Sequence, residues 1–134
     1  MTSCSFINMD PDTLTIACNE GLARIKEVRQ KAVSEVMRDI RSGFFVRMFG
    51  FDSLSDEDLA RQVYADGTTL IGSPKYELAN LREYRWSLYC ARSENEPEEA
   101  VCDKLIAIAK MAKVAGEKVH VSAEDWATVM MAGR

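Results

Sequence analysis

The chain has 134 residues, 47% of them apolar and 28% charged, with 17 basic and 21 acidic side chains for a net charge of −4. That length suits one globular domain, or one domain with a helical extension, and it is enough to bury a core without a disulfide or metal staple. The seven glycines and three prolines are too few for a disordered or collagen-like chain, and the acidic balance argues against a general duplex-DNA binder.

Charge is unevenly spread. Residues 24–47 carry seven bases against Glu27, Glu35 and Asp39, a local +4. Residues 52–66 carry five acids against Arg61, a local −4, and residues 94–103 carry five acids and no base. Opposed segments of this kind can pair within a chain or between subunits, but interleaved charges most often mark a solvated helix face.

The four cysteines, at 4, 18, 90 and 102, form no C-x-x-C pair, and His120 is the sole histidine. Zinc sites need Cys and His at short ligand spacing, so no metal and no cofactor is expected. The first ten residues lack a basic stretch followed by an apolar run, and no stretch approaches the length of a membrane helix. The expectation is a cytoplasmic protein with reduced thiols and no membrane partner.

Residues 1–9 read as a tail or as a short strand at Ser5-Phe6-Ile7. Asp10 is placed to cap a helix whose first position is Pro11. Over residues 10–42, Cys18, Leu22, Ile25, Ala32, Val36 and Ile40 recur mostly at steps of three and four, the spacing of one helix face. Glu20–Arg24 and Glu27–Lys31 form i,i+4 pairs on the polar side. Unbroken, this helix would be roughly 48 Å long. Either it breaks near Asn19-Glu20-Gly21 or part of it projects into a partner.

Residues 44–51 hold four of the five phenylalanines. Phe44, Phe45, Met48, Phe49 and Phe51, with Arg47 at the rim, are the candidate partner-binding residues; packing in the core is the plainer alternative. Ser55 then starts a short helix over 55–66 by capping Asp58, with Leu54 and Leu59 in the staple positions. Thr68–Ile71 reads as a short strand or linker. Residues 75–92 favour helix by propensity, although Tyr84, Trp86, Leu88 and Cys90 also alternate. On a helix, Arg82, Arg85, Trp86 and Tyr89 share a face. They are the candidate ligand-binding residues, since guanidinium planes and aromatic rings can clamp a base and a phosphate. Core or interface anchoring of the two aromatics is the alternative with the higher base rate.

A helix over 97–115 follows, with Val101, Leu105, Ile108 and Ala112 as its apolar stripe, acids at its start and lysines near its end. It would make a hairpin with 75–92 and bring Cys90 toward Cys102. Lys118–Val121 alternates as a strand, and Ser122 caps a last helix with Val121 and Trp126 in its staple positions, closing the chain over 118–132. A minor pairing of Thr68–Ile71 with Lys118–Val121 is expected. The fold class expected is mainly α, a single helical domain over 1–134 with a long first helix and short strands; α+β is the alternative.

No G-x-S-x-G, P-loop, dinucleotide fingerprint or H-E-x-x-H is present, so the expectation is a binding protein and not an enzyme. The run Phe45-Val-Arg-Met-Phe-Gly-Phe51 followed by Ser55-Asp-Glu-Asp58, together with Val119-His-Val-Ser-Ala-Glu-Asp-Trp126, resembles small accessory proteins of tailed bacteriophages over about a quarter of the chain. The resemblance implies a setting in which short proteins neutralise host factors, by blocking a protein or by sequestering a nucleotide signal, and it assigns no residue a role. The partners expected are thus a host protein or a second copy in a homo-oligomer, with a small nucleotide as the alternative ligand.

Overall fold

The computed structural model describes residues 5–43, 47–48, 50–64 and 74–134, with side chains at 62–64 and 74–82 outside the description. The protein is mainly helical, with one two-stranded antiparallel sheet. In chain order the elements are β1 (Phe6–Met9), α1 (Pro11–Arg41), a 3-10 turn (Phe51–Ser53), α2 (Asp56–Tyr64), α3 (Pro74–Arg92), α4 (Glu96–Ala115), β2 (Val119–Ser122) and α5 (Ala123–Met131). They fall into two compact units, one of Met1–Val28 with Asn95–Arg134, the other of Arg29–Glu94.

In the first unit the local signals act as their chemistry dictates. The Asp10 carboxylate accepts from the amides of Asp12 and Thr13 at 3.2 and 3.4 Å. Proline at the next position has no amide to satisfy. The apolar line of α1 then enters a core of Leu14, Cys18, Ile25, Cys102, Leu105, Val121 and Val129, each at most 2% exposed. The helix does not break at Asn19-Glu20-Gly21. Gly21 is instead where the backbones approach. A Cβ there would sit 3.3 Å from the Val129 carbonyl and 3.4 Å from both the Ala132 Cβ and the Cys102 sulfur. Packing overrides the intrinsic helix penalty of glycine.

β2 pairs with β1, with Phe6 opposite Ser122, Ile7 opposite Val121, Asn8 opposite His120 and Met9 opposite Val119. The strand reading of the N-terminal segment is therefore the one realised. Thr68–Ile71, the partner expected for this strand, lies outside the described residues. The alternation in β2 is as read, with Val119 and Val121 buried and His120 exposed. Ser122 caps α5 by accepting from the Asp125 amide at 3.1 Å, and Gly116, at φ 71°, ends α4 in the left-handed region that glycine adopts without strain. The α4 stripe is rotated from expectation. Cys102, Leu105 and Ala109 face the core, while Ile108 is 42% exposed.

In the second unit, Met37 and Ile40 of α1 pack with Leu59 and Ala60 of α2 and Leu88 of α3, and Val33, Val36, Phe51, Leu54 and Tyr84 cover them. Ser55 accepts from the Asp58 amide at 3.2 Å, and both Leu54 and Leu59 join this core, as the staple pattern requires.

Candidate functional site

The C-terminal half of α3 holds the clearest candidate surface. Leu88 and Ala91 turn one side of the helix inward, at 0% and 5% exposure, and the opposite side carries Trp86 and Tyr89. These two rings stack with centroids 5.8 Å apart and planes inclined by 23°. They remain 66% and 57% exposed, so neither is a core anchor. Leaving two large rings in water forgoes the stabilisation their burial would give, about 1.5–3 kcal/mol for a fully buried apolar side chain. Arg85 lies half-buried beside them, and Cys90 is exposed one residue after Tyr89. Arg82 belongs to the same helix, with its side chain outside the described residues. Tyr84, on the inner side, has its hydroxyl pushed up from the ordinary tyrosine value, first by burial and then by Glu83 and Asp39.

Of the phenylalanine-rich candidates, Phe44, Phe45 and Phe49 lie outside the described residues. Arg47 is exposed and Met48 is 57% exposed, whereas Phe51 is half-buried against the core of the second unit.

In the sequence the basic stretch 24–41 reads as a solvated face, and two of its arginines depart from that. Arg24 donates from Nε to the Ala132 carbonyl at 2.8 Å and from Nη2 to the Val129 carbonyl at 3.1 Å, so it closes the C-terminus of α5. Arg41 donates to the carbonyls of Asp52 and Leu54 at 2.7 and 2.6 Å and pairs with the Asp56 carboxylate. Both are structural clamps. Within the 52–66 segment, Asp58 meets Arg61 at 3.3 Å.

The buried thiols of the first unit, Cys18 and Cys102, are neighbours, while Cys90 is exposed on the second. Cys18 is pushed up to about 12, first by burial and then by Cys102, and Cys102 is raised, chiefly by burial. A thiol held protonated is a poor nucleophile. His120 touches the side-chain oxygen of Asn8, its cross-strand partner. An open cleft of about 300 Å³ lies where the start of α1 meets residues 113–118; within it Lys113 bonds Asp12 at 2.8 Å and Asp10 caps α1. Among the described residues no group of three or more His, Cys, Asp or Glu side chains is placed to hold a metal ion, and no helix is long and apolar enough to cross a membrane.

Comparison of the chain with protein-family models, with curated proteins and with solved structures finds no match in any of the three.

Proposed function

We propose that the protein is a non-enzymatic binding protein that inhibits or regulates a partner protein, and that the partner docks on the outer face of α3. The observation that carries this reading is the exposed, stacked Trp86–Tyr89 pair. Tryptophan and tyrosine are the residues most enriched at energetic centres of interfaces, because they bury a large area at low conformational cost. Two rings already stacked lose less freedom on binding than two independent ones. α3 carries Lys75, Arg82, Arg85 and Arg92 against Glu77 and Glu83, so the partner surface that fits it is acidic. Such a role accords with the blocking of a host protein that the phage resemblance implies, in the cytoplasm.

The test is affinity capture from cell lysate with the wild-type chain and with Trp86→Ala combined with Tyr89→Ala, followed by titration of the captured protein. A partner bound by the wild type, released by salt and lost by the double variant at unchanged helicity supports the reading. Capture of nothing, or capture untouched by the two substitutions, overturns it.

The same rings support a second reading, a nucleotide-binding sponge. An exposed indole or phenol face can stack a base while Arg85 and Arg82 reach a phosphate. A thermal shift with linear or cyclic nucleotides that Arg85→Ala removes would favour it over the protein partner.

A further inference from the structure

One helix of the first unit is apolar on two opposite sides. Cys102, Leu105 and Ala109 of α4 face the core. Directly opposite, the outward line of the same helix runs through Ala100, Ala107, Met111 and Val114, with Ile108 and Ala115 beside it, and all six are exposed. Met111 is 74% exposed and Val114 is 89% exposed. A surface helix normally turns its polar residues to water, and a helix apolar all round is one that is covered. Lys104, at the edge of that line, is held by Asp125 of α5 at 3.1 Å.

Five of the seven charges of α4 are sorted along its length, Glu98 and Lys104 lying on other sides of the helix. Glu96, Glu99 and Asp103 lie in the first half, Lys110 and Lys113 in the second. At about 100° per residue all five fall within an arc of roughly 100°, on one flank of the apolar line. Acids at the start and bases at the end suit the helix's own dipole. Their gathering on one flank does not follow from the dipole.

We infer that α4 is a self-association surface, pairing antiparallel with α4 of a second copy across a two-fold axis near Ala107. A two-fold contact is self-complementary, so each residue that meets another is met by it in return. Antiparallel pairing brings the same flank of both helices together with ends reversed. The acidic half of one copy then lies along the basic half of the other, twice, with Asp103 facing Lys110. Parallel two-fold pairing would set this flank against the opposite flank of the other helix and leave its acids and bases without each other. Ala100 and Ala107 let the backbones approach, and Ile108 and Met111 fill the space between turns. Lys113, whose ammonium also bonds Asp12, lies at the end of the same flank. One helix pair is a small interface, so the dimer is weak, with dissociation in the range of tens to hundreds of micromolar.

Sedimentation velocity across that concentration range is the test. The wild type is expected to move from monomer to dimer, with tighter association at low salt. Ala107→Glu sets two like charges across the axis, and it should leave a monomer at every concentration with an unchanged circular dichroism spectrum. Asp103→Lys should weaken the dimer roughly fivefold to tenfold, and Asp103→Lys with Lys110→Asp should restore it, since only antiparallel pairing makes the double exchange neutral. A wild type that stays monomeric at about 1 mM overturns the proposal. So does a dimer indifferent to Ala107→Glu, or one that the double exchange fails to restore.

Discussion

The two units solve one problem with different chemistry. Each places an arginine of α1 over a pair of backbone carbonyls. Arg24 meets the carbonyls of Val129 and Ala132 at the end of α5 and uses no carboxylate. Arg41 meets those of Asp52 and Leu54 and adds the Asp56 carboxylate at the start of α2. In the first unit the arginine closes a helix end, where dipole and cation agree. In the second it fixes a loop and the helix after it, so its charge is divided among three acceptors. The units differ in their aromatics as well. The first half-buries Trp126 against its core, while the second leaves Trp86 and Tyr89 in water. The stacked, exposed ring pair belongs to the second unit, and the sheet and the buried thiol pair to the first.

Core truncation should separate the units most strongly. Ile25→Ala is expected to cost about 3 kcal/mol and to remove hydrogen-exchange protection from α4, β2 and α5 first. Ile40→Ala should cost about as much and expose α2 and α3 first. If either variant loosens both units equally, the division fails. Smaller effects come from the clamps. Arg24→Ala should cost about 2 kcal/mol in chemical denaturation, since it removes two part-buried hydrogen bonds to carbonyls, and Arg41→Ala somewhat less, because its partners lie closer to water.

High pH sharpens the comparison further. The Cys18 thiol sits at about 12 in the folded protein, above the ordinary thiol value, so the folded state holds its proton more tightly than the unfolded chain does. The stability from this group is complete below about pH 9 and declines as pH rises toward 12, in the first unit, whereas the raised Tyr84 hydroxyl makes the second unit lose stability only above about pH 10. Exchange measured at rising pH would show it. A thiol reagent at neutral pH should label the exposed Cys90 quickly and reach Cys18 and Cys102 only on unfolding. The smallest effects are those of the caps, where Ser122→Ala and Ser55→Ala should each cost about 1 kcal/mol, one in each unit.

Those caps are also the most legible features of the sequence. Asp10, Ser55 and Ser122, with the staple pairs Leu54–Leu59 and Val121–Trp126, act through residues at most five apart, and the chain displays them directly. The long helix and the exposed His120 can be read from periodicity in the same way. Features that depend on distant packing are hidden. Gly21 reads as a helix break until Val129 and Cys102 are known to press against it. The pairing of β1 with β2 joins segments more than a hundred residues apart, and nothing local in Phe6–Met9 announces its partner. Ile108 fits the apolar stripe of its helix, yet the core selects the neighbouring line through Cys102 and Ala109. Arg24 looks like half of an ion pair because the carbonyls it serves lie beyond residue 128. Of the candidate site, the shared helical face of Arg85, Trp86 and Tyr89 is legible; that both rings face water is not.

The pairing of Phe6–Met9 with Val119–Ser122 bears on the order of events during synthesis. The unit of residues 29–94 is one continuous stretch, so all its contacts can form while the ribosome is still translating residues 95–134. The other unit must hold an early strand unpartnered until residue 122 has emerged, and its long-range closure sets the slow step of maturation. Through that interval the nascent chain exposes an unpaired edge with Phe6 and Ile7 on it, which makes the first strand the segment that a co-translational chaperone would be expected to shield.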